Sequence, residues 1–229
     1  MRLAIIGAGS IGSWVIDALA RDGVMPEAVI LRSPTAVGVP VGVPVVRDVS
    51  ELPPGITHLV DCAGHSGLAA HGPAALGAGI DVISLSLGAL ADAGLAADLA
   101  AAAQAGGARL HLASGAIGGL DALRAAAAGG LTHVRYTGRK PPLGWAGSRA
   151  EAVLDLTNLS APATHFDGIA RAAALAYPKN ANVAAAVALA GLGFDATQAR
   201  LIADPGAAGN IHEIEAEGAF GRFRFEITG

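Results

Sequence analysis

Two short stretches carry residue types that can do chemistry. The first, Gly7-Ala8-Gly9-Ser10-Ile11-Gly12, has the G-x-G-x-x-G spacing. Gly7 permits a tight turn, Gly9 lets backbone approach a pyrophosphate, and Gly12 lets a helix pack close to a strand. Ser10 and Ile11 open that helix, whose free N–H groups and positive end favour phosphate. The second stretch is "GNIHEIEAEG", residues 209–218. Side chains of a strand alternate between faces, so Glu213, Glu215 and Glu217 share the wet face. His212 shares the other face with Ile214 and Ala216. An inward imidazole has the intrinsic pKa of a general base. Its competing reading is a satisfied core histidine.

These residues need elements to position them. "RLAII" (2–6), "EAVILR" (27–32), "THLVDCAG" (57–64), "IDVISLS" (80–86) and "ARLHLAS" (108–114) read as strands. Helical patterns follow the glycine turn and recur near 67–78 and 92–106. Apolar strands alternating with helices predict a parallel doubly wound sheet, a Rossmann α/β domain over residues 1–115. "SPTAVGVPVGVP" (33–44) reads as a loop.

The pattern changes near residue 115. "GAIGGLDALRAAAAGG" reads as a helix and "LTHVRYTGRKPP" as a strand running into a basic loop. "PATHFDGIARAAALA" and "PKNANVAAAVALAGLG" read as helices, the second starting at Pro178, a favoured first helical position. "TQARLIADP", "GNIHEIEAEG" and "AFGRFRFEITG" read as an antiparallel meander. Together they predict a C-terminal α+β domain over 116–229.

Cofactor selectivity has its own position. An NAD-preferring site ends its second strand with Asp or Glu, which holds the ribose hydroxyls. This chain has Arg32 and Ser33 there, a pair that suits a 2′-phosphate and leans toward NADP, with NAD also accommodated. Cys62 and Ala63 end the third strand, whose carboxyl end faces the cofactor crevice, with His65 and His71 flanking the next helix.

Composition bounds the rest. The 229 residues are 52% hydrophobic and 15% charged, enough apolar residues to bury a sizeable core. The net charge is −4 with no long like-charge run, which points away from nucleic acid. One cysteine, Cys62, excludes an intrachain disulfide. A start lacking a signal-peptide pattern, together with apolar stretches too short to span a bilayer, predicts a soluble cytoplasmic protein. No zinc-type Cys/His spacing or H-E-x-x-H is present, so no metal is expected.

The segments "VDCAGHSGLAAHG", "SLGALAD", "SGAIGGLDALRAAA", "YTGRKPP", "YPKNANVAAAVALAGLGFD" and "GNIHEIEAEGAFG" resemble the L-aspartate dehydrogenases. The resemblance implies NAD(P)-dependent oxidation of L-aspartate to iminoaspartate, then oxaloacetate and ammonia, by a homodimer whose interface lies on the second domain. Iminoaspartate would alternatively feed NAD biosynthesis. The family's cofactor-contacting Ala and Asn fall on Ala116 and Asn182, and its catalytic His on His212. Family members commonly continue past the final strand with a closing helix; this chain stops at "FRFEITG", so a short or C-terminally truncated second domain is expected.

Amine oxidation needs a base to take a proton from the ammonium and later to activate water. The substrate's carboxylates need cationic or N–H partners. Candidates are Arg139 and Lys140, Lys179 beside Asn180, and His71; solvated surface charge is the competing reading for each. Asn180 and Asn182 are expected in a first helical turn, where backbone capping competes with ligand contact. Two other readings stay open: a related dehydrogenase or reductase of another small amino or oxo acid, and a non-catalytic NAD(P)-binding protein.

Overall fold

A computed structural model describes residues 1–33 and 38–229. The chain divides into two compact units, Met1–Ala113 and Ser114–Gly229. In the first, strands β1 (Leu3–Ile6), β2 (Ala28–Ile30), β3 (Val45–Val46), β4 (His58–Asp61), β5 (Asp81–Ser84) and β6 (Leu110–Leu112) form one sheet. Its order is β3-β2-β1-β4-β5-β6 and every pairing is parallel. Helices α1 (Ser10–Arg21), α2 (His65–Gly77) and α3 (Ala93–Gly106) cover it.

All four residues of β1 are buried because both faces of the strand are covered. Ala4 and Ile6 pack with Leu68, Leu76 and Leu99 from α2 and α3. Leu3 and Ile5 pack with Ile16 from α1. Caps fix the helix ends. The Asp92 carboxylate accepts hydrogen bonds from Gly94 N and Leu95 N at 2.9 and 3.1 Å, and Gly107 closes α3 in the left-handed region.

The second unit contains α4 (Leu120–Ala128), β7 (Leu131–Lys140), β8 (Ala163–Ile169), α5 (Ala170–Ala176), α6 (Asn182–Ala190), β9 (Gln198–Ala203), β10 (Ile211–Gly218) and β11 (Gly221–Thr228). Its five-stranded sheet runs β11-β10-β7-β9-β8. Only β7 and β9 pair in parallel. Helices α4 and α6 pack against β7, and α5 packs against β8 and β9. Alanines dominate the buried face of α6 and let it approach closely.

Four local expectations need correction. Residues 163–169 form a strand, not the start of a helix. Thr164, Phe166 and Ile169 favour extended backbone there, and helix begins only where the Ala-rich run does, at Ala170. The helix expected from Pro178 begins at Asn182. Pro178 instead occupies the second position of a β-turn in which Asn180 N donates to Tyr177 O at 2.8 Å. Arg139 and Lys140 belong to β7 and not to a loop, since β9 and β10 pair with the strand to its end. Strands β10 and β11 form a hairpin, but β9 lies across β7 from them, so no three-stranded meander forms. The loop expected over 33–44 falls partly outside the described residues.

Candidate active site

In the first unit a cleft of about 510 Å³ opens at the carboxyl ends of β1, β2 and β4. Gly7, Gly9, Arg32, Ser33, Cys62, Ala63 and His71 all line it. Gly7 has φ +88°, and a Cβ there would press on Ala63 Cβ at 3.0 Å. A Cβ on Gly12 would run into the Gly7 carbonyl oxygen, so strand and helix can meet only through glycine. Gly9 differs: a Cβ on it would meet nothing within 4 Å. Helix α1 starts there with no side-chain cap and no acidic residue in its first turn. Open backbone at an uncapped helix start fits a dinucleotide pyrophosphate. Ser10 and Ile11, both exposed, form that first turn.

Behind the cleft the carboxylate of Asp61 is fully buried. It accepts hydrogen bonds from Ser84 Oγ at 2.8 Å, Ser86 Oγ at 2.6 Å and Ala63 N at 3.0 Å. It thus ties the ends of β4 and β5 and holds Ala63 against the glycine turn. Burial, and then the Asp61 carboxylate, push the Cys62 thiol up to about 11, which leaves it a packing residue at neutral pH.

In the second unit His212 is buried at 7% exposure. Its Nδ1 shares a 2.8 Å hydrogen bond with the hydroxyl of Tyr136, itself 1% exposed. Register explains the pair. His212 faces Gly138 across β10 and β7, and Tyr136 is two residues earlier on the same face. A Cβ on Gly138 would lie 2.6 Å from the Tyr136 hydroxyl, so this glycine leaves the space the phenol fills. Lys140 continues that face. Its Nζ donates to Asn180 Oδ1 at 2.9 Å and lies 4.9 Å from the Trp145 ring centroid. Burial pulls the Lys140 ammonium pKa down. Burial and then the Lys140 charge pull His212 below the ordinary histidine value. Burial pushes the Tyr136 phenol up, so it remains a hydroxyl. A neutral imidazole held by a phenol beside a cation can take up a proton and release it.

Relatives bear on both units. Residues 7–113 match the family described as homoserine dehydrogenase, NAD binding domain, and residues 121–229 match aspartate dehydrogenase, C-terminal. An L-aspartate dehydrogenase of Ruegeria pomeroyi is 62% identical over this whole chain and 84% of its own length. The chain belongs to the L-aspartate dehydrogenase family. An L-aspartate dehydrogenase of Pseudomonas aeruginosa is 47% identical over the whole chain and 88% of its own length. The crystal structure of an aspartate dehydrogenase from Thermotoga maritima aligns over 99% of this chain and 88% of its own, with TM-score 0.81 and 28% identity. The Rossmann unit and the mixed second sheet are therefore the architecture of this family.

Not every expected site residue joins one of these constellations. Arg139 is adjacent to Lys140 and so points to the opposite sheet face from His212. Its Nη1 is held by Asp204 Oδ2 at 2.8 Å. His71 is inside α2 and lines the first-unit cleft with Arg32 and Ser33. Lys179 is exposed in the Tyr177–Asn180 turn. Asn180 lies in that turn instead of a helix and binds Lys140. Asn182 is the first residue of α6, whose cap, Ala181, offers no side chain to the helix. Ala116 is exposed ahead of α4.

Tyr136, Gly138, Trp145 and His165 were not singled out from sequence. The signal available was the period-two pattern of "VRYTGRK", which places Tyr136, Gly138 and Lys140 on one face. Among the described residues no group of three or more His, Cys, Asp or Glu is placed to hold a metal.

Proposed function

We propose that this chain is an NAD(P)-dependent L-aspartate dehydrogenase. The observation that carries the proposal is the buried His212–Tyr136 pair beside Lys140, in a chain whose other unit offers an uncapped helix start at a dinucleotide-sized cleft. Gly7, Gly9, Ser10, Ile11 and Gly12 would hold the pyrophosphate, and Cys62 and Ala63 would border it. Arg32 and Ser33 would receive the adenosine ribose. Ala116 and Asn182 are the second unit's proposed cofactor contacts. A bound nicotinamide dinucleotide supplies the acceptor for the hydride that leaves the substrate Cα.

His212 does the proton work. It takes a proton from the substrate ammonium, which frees the nitrogen lone pair to form a C=N bond as the Cα–H bond breaks. The ring releases that proton to solvent, then takes a proton from the water that adds to the imine carbon and passes it to the nitrogen of the resulting carbinolamine, which collapses to oxaloacetate and ammonia. Both steps need the neutral ring, which its depressed pKa favours. Asn180 and Lys179 are proposed on the substrate side.

Arg32 and Ser33 without an acidic neighbour at the end of β2 favour NADP, with NAD accepted. The chain is also proposed to work as a homodimer in the cytoplasm, with iminoaspartate available to NAD biosynthesis. These assignments rest on the family resemblance and on the single cysteine.

The test is cofactor reduction, with NAD and NADP in parallel, on L-aspartate, D-aspartate, L-glutamate and L-malate. L-Aspartate should be the preferred substrate, with higher kcat/KM for NADP than for NAD. Absence of turnover with L-aspartate by the folded protein would end the substrate assignment.

A further inference from the structure

The second unit treats its cations unequally. Arg139, Arg171, Arg200 and Arg224 each meet a carboxylate: Asp204, Asp195, Asp167 and Glu213. Lys140 does not. It is half-buried, and its polar partner is the neutral amide oxygen of Asn180. Among the described residues no carboxylate lies within salt-bridge range of it. An ammonium has three donors, and the Asn180 contact uses one. A desolvated charge without a counter-ion is costly to keep, and its cost here extends to His212, which it makes harder to protonate.

Local packing makes the arrangement rigid. Trp145, fully buried, lies beneath the ammonium and is fixed by its own Nε1, which donates to Ile202 O at 3.0 Å. Trp145 in turn packs edge-on to His165 with ring centroids 4.4 Å apart. Asn180 is held by the turn that precedes α6. A clamped cation with spare donors, on the sheet face that carries the base, is complementary to an anion.

We infer that Lys140 is the residue that binds a carboxylate of the substrate, with Asn180 holding its ammonium in place. This deepens the proposed function and rests on it. Anion binding also offsets the positive charge that acts on His212. Tyr136 and Lys140 share the His212 face of β7, and Ile227 is its β11 neighbour. Of these, Lys140 alone is charged.

The test uses the full chain saturated with oxidised cofactor and titrates succinate, a dicarboxylate without an amine, by calorimetry. Lys140→Met should weaken succinate binding and raise KM for L-aspartate, each by about 10- to 100-fold, the range expected for loss of a hydrogen bond to a charged group. Its kcat should fall by much less, and cofactor affinity should hold. Lys140→Arg should recover most of the binding. The acid limb of kcat/KM should move to higher pH in Lys140→Met, because the charge that depresses His212 is gone. Succinate affinity within about twofold of wild type in folded Lys140→Met would overturn the inference. Should that variant not fold, Lys140→Gln, which keeps a polar tip near Asn180, carries the same comparison. If wild type binds succinate through Lys140 yet does not turn over L-aspartate, the carboxylate subsite stands and the substrate assignment falls.

Discussion

Arg139 and Lys140 are adjacent in one strand and carry the same charge, yet the two faces of the sheet give them opposite surroundings. On the outer face Arg139 pairs with Asp204, Arg200 with Asp167, and Arg224 with Glu213. Glu215 and Glu217 face Arg135 and His133 on β7 and Arg224 and Arg222 on β11. Charge is locally balanced and mostly wet, so each pair contributes little to stability. On the inner face the half-buried Lys140 and the buried His212 have neutral partners, an amide and a phenol. There the protein keeps a positive potential uncompensated. The same strand period that pairs one cation with a carboxylate leaves its neighbour with an amide.

Removing the base should break this contrast most severely. His212→Ala should lower kcat/KM for L-aspartate by about 10²- to 10⁴-fold, the usual contribution of general acid–base catalysis. Cofactor affinity, measured by fluorescence titration, should stay within about twofold, because the dinucleotide residues proposed here do not include His212. A parallel collapse of cofactor affinity would make His212 a structural residue.

Tyr136→Phe sharpens the comparison at intermediate size. The hydroxyl accepts from Nδ1–H whenever the ring is charged, so its loss costs the imidazolium more than the neutral ring. The His212 pKa should fall further, and the acid limb of the pH–rate profile should move to lower pH. A drop in kcat of roughly tenfold is expected, corresponding to about 1.4 kcal/mol. This shift is opposite in sign to that expected for Lys140→Met. A purely structural phenol would change thermal stability without moving the limb.

The first unit was largely legible in sequence and the second only in part, for physical reasons. A parallel sheet covered on both faces writes itself as apolar runs separated by helices, and "GAGSIG" is diagnostic in that setting because each glycine answers a distinct steric demand. The mixed sheet of the second unit depends on long-range pairing. "ATHFDGI" runs directly into a helical alanine segment, and only its partner β9 makes it a strand. Parity in "GNIHEIEAEG" sufficed to place His212 inward. Tyr136 escaped notice because its role depends on the register between β7 and β10, which places Gly138 opposite the imidazole. The end of β7 was hidden by "GRKPP", whose Gly and Pro residues read as a loop and mask the alternation that separates Arg139 from Lys140.

The smallest effect on turnover belongs to the outer face. Arg139→Gln and Asp204→Asn should each leave kcat and KM for L-aspartate within about twofold, since this half-buried pair lies on the sheet face opposite His212. Their signature is in stability against pH. Hydrogen bonding from Arg139, then from Gly206 N, holds the Asp204 carboxyl below its ordinary 3.8. A depressed acid stabilises the fold above the unfolded-state pKa and loses that contribution as pH falls through the folded-state value. The Tm gap between wild type and Asp204→Asn should therefore be constant from neutral pH down to about 4 and should narrow below it. A large loss of turnover in Arg139→Gln, with Tm unchanged, would mean that this face takes part in the chemistry and that the separation of the two faces is wrong.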